Sequence, residues 1–143
     1  TVVGSGSTTA ISVFNSGIFS SGGSLLSSSG NLSITGHGGT GSVYNAGVHF
    51  EGGVYQSSSG SLSLLGDAHA NTTSVFNHGV WIMNASVGGG AGSSVTGTGG
   101  GGIGFNHGVS MVNVTGSVTP GDVTGSVTDG SSLSKETDGN FFP

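Results

Sequence analysis

One motif, repeated at a nearly fixed interval, constrains this chain more than any other feature. It reads Ser12-Val-Phe-Asn-Ser-Gly-Ile18, then Ser42-Val-Tyr-Asn-Ala-Gly-Val48, then Ser74-Val-Phe-Asn-His-Gly-Val80. The fourth copy is Gly104-Phe-Asn-His-Gly-Val109, with Ile103 where the others begin with Ser. Its asparagines, Asn15, Asn45, Asn77 and Asn106, are spaced by 30, 32 and 29 residues. A period of that size is the signature of a solenoid, whose repeats bury their apolar faces only against one another. On this basis the repeats run 11–41, 42–73, 74–102 and 103–130. Residues 1–10 read as a partial coil beneath the first repeat, and 131–143 as a C-terminal tail, a cap or a docking strand.

Superposed, the repeats share columns. An aromatic ladder comes first: Phe14, Tyr44, Phe76 and Phe105. The Asn column follows, and two places later stands a Gly column: Gly17, Gly47, Gly79 and Gly108. Then Ile18, Val48, Val80 and Val109 begin an alternating stretch, which points every second side chain the same way. In Gly79-Val-Trp-Ile-Met-Asn84 this predicts Val80 and Ile82 inward, with Trp81 and Met83 outward. A second short strand is expected at Gly53–Gln56. A third is expected at Asn31–Gly36 and Ser61–Gly66, weakening at Ser93–Gly97.

Three short strands in about 30 residues fit one coil of a parallel β-helix, each strand pairing with its image one coil away. The columns then become ladders. Asn is read as the left-handed corner residue, bonding its own image in the next coil. Gly is read as a corner that no β-carbon permits, and the aromatics as a stack inside the turn. The runs Gly36–Gly41 and Gly97–Gly102 read as loops.

Composition narrows function more than fold. Of 143 residues, 32 are Gly and only 5% are charged. Gly, Ser and Thr at that level suit a disordered linker, but the hydrophobic residues fall in register with the repeat and are rich in β-branched types. One Lys and no Arg cannot build a phosphate-binding surface, so nucleic acid is not an expected partner. There is no basic patch for an anionic membrane surface and no apolar run long enough for membrane insertion. Without Cys there is no disulfide or thiolate metal site. A start at Thr1 without Met fits a processed product or a segment of a longer polypeptide.

Catalytic chemistry is sparse. A glycan-cleaving enzyme on this fold needs paired carboxylates on adjacent coils, and Glu51 aligns with Ser21, Met83 and Val112. The Gly-rich runs lack the Lys of a phosphate loop. No enzymatic activity and no cofactor are expected. His78 and His107 share a column and form a weak candidate metal pair; two exposed corner histidines are the plainer reading. Trp81 and Tyr55 are candidate surface contacts, or a platform for a sugar ring. Phe141 and Phe142 mark the tail as a candidate assembly element.

The motif Phe-Asn-His-Gly-Val, with its alternating strand and a loop such as Thr96-Gly-Thr-Gly-Gly100, resembles repeats of large bacterial surface proteins of the filamentous-haemagglutinin and autotransporter-passenger type. The resemblance covers about 11–130. It implies an all-β, right-handed parallel β-helix, export to the cell surface or beyond, and a role in adhesion or in a surface fibre. A separate, physical argument points to assembly. An uncapped solenoid exposes strand edges at both ends, and head-to-tail stacking pairs them. The expected function is thus a structural subunit or segment of an extracellular filament, with itself or flanking repeats as partner. The alternative is a glycan- or surface-binding adhesin module that does not polymerise.

Overall fold

The computed structural model describes residues 1–7, 13–69, 74–102, 104–118, 123–127 and 135–137. Among them every regular element is a β-strand. Strand β1 (Val2–Ser5) precedes the first full coil. That coil holds β2 (Ile18–Ser21), β3 (Ser24–Ser27) and β4 (Leu32–His37). The second holds β5 (Val48–Glu51), β6 (Val54–Ser57) and β7 (Leu62–Asp67). The third holds β8 (Val80–Met83), β9 (Ser86–Gly88) and β10 (Ser94–Gly99). The fourth opens with β11 (Val109–Val112) and closes with β12 (Val123–Val127), and β13 (Lys135–Thr137) follows.

Each strand pairs in parallel with its image in the next coil. The result is three sheets, ordered β1-β4-β7-β10-β12, β13-β11-β8-β5-β2 and β3-β6-β9. The chain is therefore an all-β parallel β-solenoid of about four turns. Register keeps like over like: Val48 on Val80 on Val109, Phe50 on Ile82 on Met111, and Ile34 on Leu64 on Val95. These residues form one fully buried core with Leu62, Tyr55 and Val87. The alternation seen in the sequence thus sets which side chains enter it. Strand β10 is as long as β4 and β7, so the expected weakening in the third coil does not occur.

The Asn column is a buried ladder. The Asn15 side-chain amide donates to Asn45 Oδ1 (3.3 Å), Asn45 to Asn77 Oδ1 (2.8 Å), and Asn77 to Asn106 Oδ1 (2.9 Å). Asn45 also clamps Gly41, accepting from its N–H and donating to its carbonyl. The left-handed corner, however, is not at Asn. It is at the aromatic before it, with φ of 61°, 57°, 59° and 55° at Phe14, Tyr44, Phe76 and Phe105. That conformation turns the ring outward and the next residue inward. The aromatic ladder accordingly lies outside the turn rather than within it, with Phe14 63% and Phe105 62% exposed. The left-handed reading of Asn holds one corner later, at Asn84 and Asn113, where the first two coils have Gly22 and Gly52.

The column Gly17, Gly47 and Gly79 has a different cause from the one expected. None of these residues has positive φ. Instead, a β-carbon on Gly66 would strike the carbonyl of Gly79, one on Gly36 that of Gly47, and one on Gly97 that of Gly108. The sheet of β4, β7 and β10 meets the entry of the sheet of β5, β8 and β11 here backbone to backbone, and only paired glycine ladders allow that approach. Gly36, Gly97 and Gly99 belong to strands, so the Gly-rich runs begin inside the sheet rather than as loops.

Phe141 and Phe142, the candidate assembly element of the tail, lie outside the described residues.

Candidate functional site

Outward-turned aromatics give one lateral face of the solenoid its character. The ladder Phe14, Tyr44, Phe76 and Phe105 stacks with centroids 4.7, 4.8 and 5.0 Å apart and planes within 12°. These distances repeat the spacing of neighbouring strands, so the ladder follows from a side chain repeated once per coil. A parallel column comes from the outward residues of β2, β5, β8 and β11: Phe19, His49, Trp81 and Ser110. His49 stacks on Trp81 at 4.2 Å, and Phe19 is tilted 55° against His49 at 5.0 Å. Between the two columns stand Ser16, Ala46, His78 and His107. His78 and His107 stack at 5.0 Å, and His78 also meets Trp81.

This packing corrects several expectations. His49, His78 and His107 are not exposed; each is buried by rings of adjacent coils. Burial pushes the His49 pKa down to about 4. Burial, then the charges His107 and His49 would carry, pushes His78 down to about 3. Both rings are therefore neutral at ordinary pH. The His78 and His107 rings are face to face, so their in-plane nitrogen lone pairs run side by side instead of converging on one ion. His78 Nδ1 also accepts the His107 backbone N–H at 3.3 Å. Among the described residues, no cluster of three or more His, Cys, Asp or Glu is placed to hold a metal. The His37–Asp67 pair, 3.8 Å apart, is half exposed and worth little to stability.

Tyr55 does not reach the surface. It is fully buried, stacked on Phe50 at 3.6 Å and 2°, with no hydrogen-bond partner for its hydroxyl among the described residues. It cannot join Trp81 in a surface contact. Trp81 is half-buried, with one ring face on His49 and a parallel neighbour in Tyr44 at 5.7 Å.

Where a column carries a small residue, the face opens. Around Ser16 lies a groove of about 430 Å³ lined by Phe14, Ser16, Phe19, His49 and Glu51. A shallower one of about 200 Å³ lies at Ser110, beside Trp81, His107 and Phe105. Glu51 carries the charge in the lining of the larger groove. The sequence reading did not assemble this groove. Its signal was available in the shared outward column of Phe19 and His49, beside the small Ser16.

Fold and face together define a class: a parallel β-solenoid repeat protein with a laterally stacked aromatic face. Beyond that class comparison adds nothing, because no family model, curated protein or solved structure matches this chain.

Proposed function

We propose that this chain is a structural subunit or segment of an extracellular filament or surface fibre, built by stacking solenoid coils end to end. One observation carries the reading: the two ends are complementary partial coils. At one end β1 lies alone beneath β4, while no described strand pairs the outer edges of β2 and β3. At the other, β13 lies on β11 and β12 on β10. In the order of the coil, β13 of one copy and β1 of the next fall in a single turn, with the position held elsewhere by β3, β6 and β9 between them. The tail with Phe141 and Phe142 follows β13 in the chain and would supply the segment between them. Stacking would add strands to open parallel edges, a heterologous contact that does not close and therefore extends. The extracellular placement rests on low charge, absence of Cys, and the likeness of the motif to bacterial surface repeats.

Electron microscopy of the purified chain tests this. Each long sheet has five strands per copy, so the filament should be unbranched with a subunit repeat of about 24 Å, five strand spacings of about 4.8 Å. Removing residues 129–143 takes β13 away and should abolish the filaments. Monodisperse monomers across a wide concentration range would overturn the reading. They would leave the non-polymerising adhesin module, which the exposed aromatic face favours.

A further inference from the structure

The groove at the first two coils has a chemistry that filament assembly does not use. Its walls are the rings of Phe14, Phe19 and His49, and Glu51 stands at its edge. Phe14 and Phe19 are among the most exposed large apolar side chains described, 63% and 58% exposed. Both belong to the first coil, where no described strand lies beyond β2 to cover their outer ring faces. The Glu51 carboxylate is exposed and has no ion-pair or hydrogen-bond partner among the described residues. With one Lys and no Arg in 143 residues, the chain has little to neutralise it.

Three features select the ligand. The ring walls are not coplanar: Phe14 lies parallel to Tyr44, whereas Phe19 is turned 55° from His49. A flat platform suits a pyranose face, but rings at an angle present several π faces to one compact group. Ring faces carry negative potential and attract a cation, most strongly a weakly hydrated one. Among the described residues the polar side chains of the lining are one carboxylate, one hydroxyl and the His49 imidazole, fewer groups than the hydroxyls of a sugar require. His49 stays neutral well below pH 7, so no positive charge competes for the carboxylate.

We infer that this groove binds an alkylated ammonium group, the cation of choline or of a methylated amine, between the Phe14, Phe19 and His49 rings and against the Glu51 carboxylate.

Equilibrium dialysis of the full chain against labelled choline chloride at constant ionic strength reads binding whether the chain is monomeric or assembled. The expected dissociation constant is on the order of 1 mM, with the uncharged carbon analogue of choline at least ~10-fold weaker. Glu51→Gln, a change on an exposed side chain, should weaken choline about tenfold, and Phe19→Ala similarly. Equal binding of choline and its uncharged analogue would overturn the inference. So would full affinity in Glu51→Gln, or a methyl glycoside binding where choline does not. Flotation with phosphatidylcholine vesicles, but not phosphatidylglycerol vesicles, and its reversal by free choline would identify a lipid headgroup as the source. Choline binding without flotation would identify a soluble or polymer-borne ammonium instead.

Discussion

At the scale of single residues, the side chains that look alike in the repeat carry unlike loads. Asn77 is buried mid-ladder. Its amide nitrogen reaches Ser74, Gly101 and Asn106, and its oxygen accepts from Asn45. Asn77→Ala would strand several of these groups without water, and we expect a loss of about 3 kcal/mol in urea denaturation. Asn84 also sits in a ladder, accepting from Asn113, but is exposed and holds φ of 51° where two other coils use Gly. Asn84→Gly should therefore lie within ~0.5 kcal/mol of the parent, and Asn84→Val should cost about 1–2 kcal/mol through strain. Equal losses at the two positions would contradict this division. The buried histidines make a second residue-level prediction. Their folded pKa values, about 4 for His49 and about 3 for His78, lie below the ordinary 6.5. As pH falls the unfolded chain binds protons first. The stability these groups contribute is complete above pH 6.5 and is lost progressively toward pH 4 and then 3, at up to ~1.4 kcal/mol per pH unit for each. Between pH 6.5 and 5, above the usual carboxylate range, His49→Phe should reduce the slope of stability against pH by about half. An unchanged slope would show that His49 titrates normally in the fold.

At the scale of the strand, the decisive contact is backbone against backbone. Gly66 in β7 faces the Gly79 carbonyl, and both sit in unbroken columns. Gly66→Ala forces two sheets apart, and a loss of about 3 kcal/mol or more is expected. Gly30, with nothing within 4 Å of an added β-carbon and no positive φ, provides the contrast: Gly30→Ala should be neutral or slightly stabilising. Thermal melts of the two variants decide the matter, and a tolerated Gly66→Ala would mean that the sheets are not held in contact there. The same strands explain what the sequence could and could not reveal. Alternation located β4, β5, β7 and β8, because a strand with one buried face has period two. At β6 the strand is expected but its buried face is not, because Val54 and Tyr55 are both apolar and nothing local says which enters the core. Alternation placed His49 and Trp81 on the outward side, where they stand, but could not show the burial of His49 and His78, which depends on rings donated by other coils. The Gly columns were visible, yet their cause was not: close approach of two sheets is a relation between residues 13 apart in Gly66 and Gly79, invisible within either motif. The groove at Ser16 escaped for the same reason, since it forms from two columns and two coils at once.

At the scale of the whole molecule, the two ends of the solenoid differ in charge. Strands β1, β2 and β3 contain no charged residue. Strand β13 is Lys-Glu-Thr, and its register places Lys135 over Val109, in the column that Ile18, Val48 and Val80 fill with apolar side chains. Charged residues in the sequence of an edge strand are a common guard against further pairing. In a head-to-tail joint that column would continue from Lys135 into Ile18 of the next copy, so the charge would lose much of its hydration on stacking. Under the stacking proposal Lys135 would affect how readily coils add rather than whether one coil folds. Lys135→Val makes the column apolar throughout. If stacking joins β13 to β2, this variant should assemble at a concentration about tenfold lower than the parent, with the subunit repeat unchanged. Light scattering against concentration measures the first and image reconstruction the second. An assembly threshold that stays the same would place the joint away from this edge. A threshold that rises would mean that Lys135 takes part in the joint through its charge. The converse substitution, Ser20→Lys in β2, places a charge in the core column at the opposite edge, where the next coils have Phe50 and Ile82. It should suppress stacking while leaving the melt of the isolated chain nearly unchanged, because β2 contributes only one edge of the core that Phe50, Ile82 and Met111 close above it.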